Sequence, residues 1–290
     1  MGVRRAVELA CTQANCPGRV YTLGPLIHNP QALEDLKRRG VAILDEAGLP
    51  DNLSDAVVII RAHGISPQTE AELHRRGAAV VDATCPKVKA SQLKAASLAK
   101  QGYRLFLAGE ETHAEIAGIR GYAEDGWIQR SDIAGNGQFL QVVSSAEEAE
   151  AAAAELLAED KALENNPSKT ALLAQTTISA EEYHAISAVI LRYFPALEIV
   201  QTICAATKER QDSLREILGK TDAVVIVGGK DSANTRRLLA IAQASGKPCA
   251  IAETAADIPP ELFRLETIGL SAGASTPDTV IDAIEQALTK

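Results

Sequence analysis

Short runs of β-branched and aliphatic residues alternate along this chain with longer amphipathic stretches rich in Ala, Leu, Glu and Lys. Several of the short runs are apolar at every position, such as Val-Val-Ile-Ile at 57–60 and Val-Val-Ile-Val at 224–227. Strands of this composition are typical of sheets that are covered on both faces. The alternation therefore predicts an α/β fold built on mainly parallel sheets.

The same periodicity predicts the individual elements. Strands are predicted at 19–23, 41–44, 56–61, 79–82, 104–108, 139–143, 171–174, 199–203, 223–227, 248–252 and 267–270. Helices are predicted at 2–9, 30–39, 67–76, 87–101, 179–192 and 208–218, and a surface helix at 146–157.

Length and composition exclude several classes of protein. The 290 residues are enough for two or three domains. The apolar runs are far shorter than the ~20 residues of a transmembrane helix, and nothing after Met1 resembles a signal peptide. A net charge of −9 and 3% aromatic residues argue against nucleic-acid binding. Five cysteines, an odd number without an export signal, favour reduced or metal-bound thiols. We expect a cytoplasmic protein without nucleic-acid or membrane partners.

An internal repeat is organised around two cysteines. Cys85-Pro-Lys-Val-Lys and Cys204-Ala-Ala-Thr-Lys each end a predicted strand and open a predicted helix, with a β-branched residue and then Lys at matching positions. Met1-Gly-Val-Arg-Arg fits the same frame, and its cysteine position would fall immediately before Met1. The repeat predicts three similar α/β lobes, at 1–84, 85–203 and 204–290.

Each lobe also has two polar loops, placed at the carboxyl ends of predicted strands. Open α/β sheets bind ligands at that edge, so the polar side chains of these loops are candidate site residues. The loops contain His28, His63, His113, Glu115, Thr176, Ser232, Asn234 and Ser275.

The two repeat cysteines suit a metal centre, although buried small residues at helix starts remain an alternative. A helix N-terminus lowers the pKa of a thiol and favours the thiolate. Their spacing does not match a zinc ribbon, whereas thiolates that converge from several α/β units suit an iron–sulfur cluster. Cys11, Cys16 and Cys249 lie outside the repeat frame, and we predict structural roles for them.

The loop side chains suit an anionic substrate. Imidazoles, hydroxyls and amides could hold a diphosphate through charge-assisted hydrogen bonds, and Glu115 is the loop carboxylate placed to relay a proton. A single loop histidine could equally be an ordinary hydrogen-bonded residue, but His28, His63 and His113 recur in equivalent loops. His74 and His184 are predicted to be solvated.

The chain resembles the LytB family of reductases over essentially its whole length. The match depends on nine motifs in the family's order, any one of which would be weak alone. They are Met1-Gly-Val-Arg-Arg-Ala-Val, Leu26-Ile-His28-Asn29, Arg61-Ala-His63-Gly, Asp82-Ala-Thr-Cys85-Pro, Thr112-His113-Ala-Glu115, Gln175-Thr176-Thr177, Thr202-Ile-Cys204-Ala-Ala-Thr, Ser232-Ala-Asn234-Thr and Ala272-Gly-Ala-Ser275.

The resemblance implies three lobes in a pseudo-threefold arrangement around a central cavity with a [4Fe-4S] cluster. It implies the last step of the non-mevalonate isoprenoid pathway, in which 4-hydroxy-3-methylbut-2-enyl diphosphate is reduced to isopentenyl and dimethylallyl diphosphates. The electron donor would be a protein such as a ferredoxin or flavodoxin.

The resemblance also implies roles for individual residues. Glu115 would donate the proton, with Thr176 and His113 as the other catalytic residues. Cys85 and Cys204 would be cluster ligands. The substrate contacts would be His28, His63, His113, Thr176, Ser232, Asn234 and Ser275.

Two departures from the family pattern keep an alternative open. The family's first cluster cysteine would precede Met1, so we expect the chain as written to hold its cluster poorly. Asp231 and Ala233 also replace the usual Asn and a common Ser. The alternative is a non-catalytic or N-terminally truncated diphosphate-binding relative without a stable cluster.

Overall fold

The computed structural model describes residues 2–16, 18–27, 30–130, 138–162 and 169–289, and these ranges form ten α-helices and eleven strands. The helices are α1 (Gly2–Ala14), α2 (Pro30–Arg38), α3 (Pro67–Arg75), α4 (Pro86–Lys100), α5 (Ala114–Ile128), α6 (Ala146–Ala162), α7 (Ala180–Tyr193), α8 (Ala205–Leu218), α9 (Ala233–Ala244) and α10 (Asp278–Leu288). The strands are β1 (Arg19–Leu23), β2 (Val41–Leu44), β3 (Ala56–Ile60), β4 (Ala79–Asp82), β5 (Arg104–Ala108), β6 (Leu140–Val143), β7 (Thr170–Ala174), β8 (Glu198–Ile199), β9 (Ala223–Val227), β10 (Cys249–Ala252) and β11 (Ile268–Ala272).

The strands of the described ranges form three parallel sheets, which confirms the predicted α/β class. β1 pairs in parallel with β2 and β3, β5 pairs with β6 and β7, and β9 pairs with β10 and β11. Every residue of β5, β7 and β9 is buried. The wholly apolar run at 224–227 is therefore a central strand, as its composition predicts.

The chain forms two compact units. One comprises Met1–Asp51, Asp55–Ala62 and Ala205–Lys290, and the other comprises Asn52–Ser54 and His63–Cys204. The boundaries predicted for three lobes remain a prediction. None of the described helices is both long and apolar enough to cross a bilayer.

The sheet of the second unit has a separate hydrophobic core on each face. Side chains alternate along a strand, so Phe106 of β5 packs in one core with residues of α6 and α7. Leu105 and Leu107 point to the opposite face and pack with residues of α4 and α5. α4 and α5 therefore cover one face of this sheet, and α6 and α7 cover the other.

The predicted strand at 199–203 is wrong beyond its first residue, since β8 ends at Ile199. In this segment, side-chain hydrogen bonds take the place of further hydrogen bonds between strands. The Thr202 hydroxyl accepts a hydrogen bond from the Ala174 N–H at 2.7 Å and donates one to the Ala174 carbonyl at 2.8 Å. The Tyr183 hydroxyl donates to the Val200 carbonyl at 2.7 Å. The backbone of this segment is thereby held without strand pairing.

Three helices, α5, α9 and α10, are absent from the sequence prediction, and α5 shows why. It has glycines at 118, 121 and 126, which lower helix propensity in isolation. In the fold these glycines permit close packing. A Cβ on Gly126 would collide with the Ala96 carbonyl oxygen of α4, and one on Gly118 would lie 2.7 Å from the Gln92 amide nitrogen. Tertiary packing therefore outweighs local propensity here.

Candidate active site

The repeat cysteines lie at helix starts, as predicted. Cys85 is the N-cap residue of α4, where its side chain makes no capping hydrogen bond, and Pro86 follows at the first helical position. Cys204 immediately precedes α8, and its N–H donates to the Thr176 carbonyl at 3.1 Å. Both thiols are free and partly exposed. Each thiol therefore stands at the positive end of a helix dipole.

Glu115 lies in the first turn of α5, with only 1% of its surface exposed. One carboxylate oxygen accepts the Thr176 N–H at 2.7 Å, and the other accepts the Thr176 hydroxyl at 2.9 Å. Burial raises the pKa of Glu115 to about 7, although the two hydrogen bonds from Thr176 oppose that rise. The structure thus brings together the predicted proton donor and the predicted relay threonine.

His113 caps the same helix. Its Nδ1 accepts a hydrogen bond from the Glu115 N–H at 3.2 Å, so the neutral imidazole has its proton on Nε2. The His63 ring approaches it edge-on, with the ring centroids 5.2 Å apart and the planes at 81°. The second unit therefore brings His63, His113, Glu115 and Thr176 into one continuous chain of contacts.

Gln175 joins the loops after β5 and β7. Its buried side-chain oxygen accepts the Glu110 N–H at 3.1 Å, and its amide nitrogen donates to the Thr177 hydroxyl at 2.7 Å. This contact fixes the loop containing Thr176 relative to the loop containing His113.

The remaining predicted binding residues lie in the first unit. Ser232 caps α9, where its hydroxyl accepts the Thr235 N–H at 3.4 Å, and Ser275 follows the neighbouring strand β11. Both polar side-chain atoms of Asn234 are buried and have no hydrogen-bond partner in the described ranges. His28 lies outside the described residues.

Comparisons with known proteins agree over the whole chain. The LytB protein family profile matches residues 1–289. The chain belongs to the LytB family. It is 44% identical over 312 residues to 4-hydroxy-3-methylbut-2-enyl diphosphate reductase of Treponema pallidum (strain Nichols), covering 99% of this chain and 80% of the relative. It is 41% identical over 293 residues to the reductase of Treponema denticola, covering 99% of this chain and 94% of that relative.

A solved LytB-type structure supports the same assignment. The E-1-hydroxy-2-methyl-but-2-enyl-4-diphosphate reductase of Plasmodium falciparum superposes with a TM-score of 0.85 at 26% sequence identity, covering 100% of this chain and 84% of that one. LytB reductases are iron–sulfur enzymes in general. The predicted family is therefore confirmed.

Sequence reasoning missed two buried glutamines, in the helices that follow the repeat cysteines. Gln92 is fully buried in α4, seven residues after Cys85, and Gln211 is buried in α8, seven residues after Cys204. Seven residues are about two helical turns, so each glutamine lies on the same side of its helix as the preceding cysteine, about two turns further along. The repeat contained this signal, but an isolated Gln within an amphipathic pattern is usually a surface residue.

Proposed function

We propose that this chain is an iron–sulfur reductase that converts 4-hydroxy-3-methylbut-2-enyl diphosphate into isopentenyl and dimethylallyl diphosphates. Two electrons and two protons enter, the allylic C–O bond breaks, a C–H bond forms, and the oxygen leaves as water. This is the last step of the non-mevalonate isoprenoid pathway. The relatives are named as reductases over nearly the whole of this chain, which favours this function over the non-catalytic alternative.

The observation that carries the proposal is the environment of Glu115. A carboxyl group with a pKa of about 7 is half protonated near neutral pH, so it can deliver a proton and then recover one. The Thr176 hydroxyl already contacts this carboxyl at 2.9 Å, and the adjacent His113 caps the same helix. Glu115 is therefore the proton donor in the proposal, with Thr176 and His113 completing the catalytic set.

The diphosphate is bound at the loops after β9 and β11. The N-terminus of α9 presents backbone N–H groups and a positive dipole to an anion. Asn234, buried with an amide that lacks a partner in the described ranges, gains hydrogen bonds when a phosphate oxygen arrives. Ser232 and Ser275 add hydroxyl donors. His28, His63 and His113 are the further substrate contacts that the family implies.

The cysteines fit the cluster that the family implies. No group of three His, Cys, Asp or Glu side chains placed to hold a metal occurs in the described ranges. Soft thiolates at helix starts are nevertheless the ligands that iron–sulfur clusters require, and Cys85 and Cys204 both supply one. In the proposal these two residues would hold a [4Fe-4S] cluster, which would pass electrons from an external reductant to the substrate.

The reaction also requires an external reductant. A ferredoxin or flavodoxin is the electron donor in the proposal, because both proteins deliver single electrons at low potential. The five cysteines are all free, which is consistent with the proposed cytoplasmic location.

The test is turnover after anaerobic reconstitution with iron and sulfide, both by the chain as written and by a chain with a cysteine added before Met1, the position that the repeat assigns to a third thiolate. We expect both isopentenyl and dimethylallyl diphosphates as products, detected by mass spectrometry with a chemical reductant. Glu115→Gln should reduce kcat by about 10²–10⁴-fold while substrate still binds. Glu111→Gln, an exposed acid near the start of the same helix, is the matched control and should retain activity. Full turnover by Glu115→Gln would exclude Glu115 as the proton donor.

A further inference from the structure

Gln92 is buried in the middle of α4, between two elements of the candidate active site. Its amide nitrogen lies 3.5 Å from the Ile65 carbonyl oxygen, at the long limit of a hydrogen bond. Its amide oxygen is buried and has no hydrogen-bond partner within the described part of the chain. Gln92 has 0% of its surface exposed.

The same amide fills the space left by two glycines. Gly64, which follows His63, has a φ of +74°, and a Cβ there would collide with the Gln92 amide nitrogen. On the opposite side, a Cβ on Gly118 of α5 would lie 2.7 Å from that nitrogen. Gln92 therefore packs between the turn that follows His63 and helix α5, which begins after His113.

A residue that only filled this space would be apolar. Methionine has nearly the same length and volume, and it avoids the cost of a buried oxygen without a partner. The glutamine keeps that cost and gains one directed contact, from its amide nitrogen to the Ile65 carbonyl. Glutamine therefore differs from methionine here by one hydrogen bond, from its amide nitrogen to the Ile65 carbonyl oxygen, two residues after His63.

We propose that Gln92 is a positioning residue, which fixes the turn at residues 63–65 so that the His63 imidazole meets His113 edge-on. This inference rests on the proposed function, in which His63 and His113 contact the substrate. It predicts that loss of the contact impairs substrate binding more than proton transfer, because the hydrogen bonds of the Glu115 carboxylate come from Thr176 and that of Gln92 goes to Ile65.

Two variants test this contact from opposite sides. Gln92→Met keeps the volume and removes the amide. Gly118→Ala leaves Gln92 in place and displaces its amide nitrogen, while raising the helix propensity of α5. Ser91→Ala is the control, since it removes a buried hydroxyl of the same helix whose hydrogen bond, to the Lys87 carbonyl at 3.1 Å, stays within α4.

We expect KM to rise about tenfold in both variants, with kcat within about twofold of wild type, and KM to stay unchanged in Ser91→Ala. Because both changes break one contact, the double variant should be no worse than either single variant. Imidazole resonances in NMR spectra of the full chain give a second readout. Those of His63 and His113 should shift, and those of the exposed His74 and His184 should not.

The possible failures are distinguishable. If Gln92→Met does not fold, Gly118→Ala decides the question. If KM and the His63 resonances remain at their wild-type values in Gly118→Ala, the positioning role is excluded. If the wild-type chain converts no substrate, the proposed function fails, and the histidine resonances still test the role of Gln92.

Discussion

Thr176 donates a hydrogen bond to each carboxylate oxygen of Glu115, one from its backbone N–H at 2.7 Å and one from its hydroxyl at 2.9 Å. Both hydrogen bonds favour the ionised carboxylate and lower its pKa, whereas burial favours the neutral acid and raises it. Burial is the larger effect, which leaves the pKa at about 7. Thr176 therefore adjusts the acidity of the residue that we propose as the proton donor.

Removal of the Thr176 hydroxyl should change the pH dependence of turnover. In the wild type, kcat should fall as pH rises through about 7, because Glu115 loses its proton there. Thr176→Val removes one hydrogen bond that lowers the pKa of Glu115, so this alkaline limb should move to higher pH. The measurement is the pH profile of kcat. Thr176→Ser keeps the hydroxyl and should retain the wild-type profile, and coincident profiles for all three proteins would contradict this account.

Glu115 should also make the stability of the protein depend on pH. Its pKa is raised from 4.5 in the unfolded chain to about 7 in the native state, so between these values the native state binds an additional proton. The free energy of unfolding should therefore fall as pH rises through this window, by about 3 kcal/mol in total. Glu115→Gln should lack this contribution.

Urea denaturation at pH 5 and pH 8 measures the difference. The stability of Glu115→Gln relative to wild type should improve by about 2.5 kcal/mol between these two pH values. Glu111→Gln changes an exposed carboxylate in the loop before α5 and should follow the wild type. Parallel pH dependence for wild type and Glu115→Gln would show that Glu115 has an ordinary pKa.

Asn234→Ala should weaken the binding of the diphosphate substrate. The lost hydrogen bond to a charged group corresponds to about 1.5–3 kcal/mol, roughly a 10- to 150-fold rise in Kd. Isothermal titration calorimetry measures the change. Gln243→Ala, on the exposed face of the same helix α9, is the control and should bind normally. Unchanged affinity in Asn234→Ala would place the diphosphate elsewhere.

Substitution of either repeat cysteine should lower the iron content. Cys85→Ser and Cys204→Ser replace a soft thiolate by a hydroxyl, which is a poor ligand for the irons of a cluster. After anaerobic reconstitution, both variants should hold less iron per chain and show weaker visible absorption than wild type. Cys249→Ser, in strand β10, should retain the wild-type iron content. Full iron content in both repeat variants would exclude them as ligands.

Local pattern was sufficient for much of the fold. The largely apolar runs of β5 and β7 and the wholly apolar run of β9 are buried central strands, because such sequences are stable only when both faces of a sheet are covered. Local pattern was insufficient for α5, whose glycines are explained by the close approach of α4. It also failed for the segment after Ile199, where the side chain of Thr202 satisfies the backbone of Ala174 in place of a strand.

The same distinction between local pattern and tertiary structure applies to the candidate site. The sequence by itself determined that Cys85 stands at a helix start and that His113 and Ser232 stand in loops after strands, because turns and strand ends depend on neighbours in the chain. Only the tertiary structure decided what those residues can do. Glu115 and Thr176 are 61 positions apart, and their hydrogen bonds exist because β5 and β7 are paired. The pKa of about 7 requires the removal of water from Glu115, and that burial is a property of the folded chain rather than of any sequence motif.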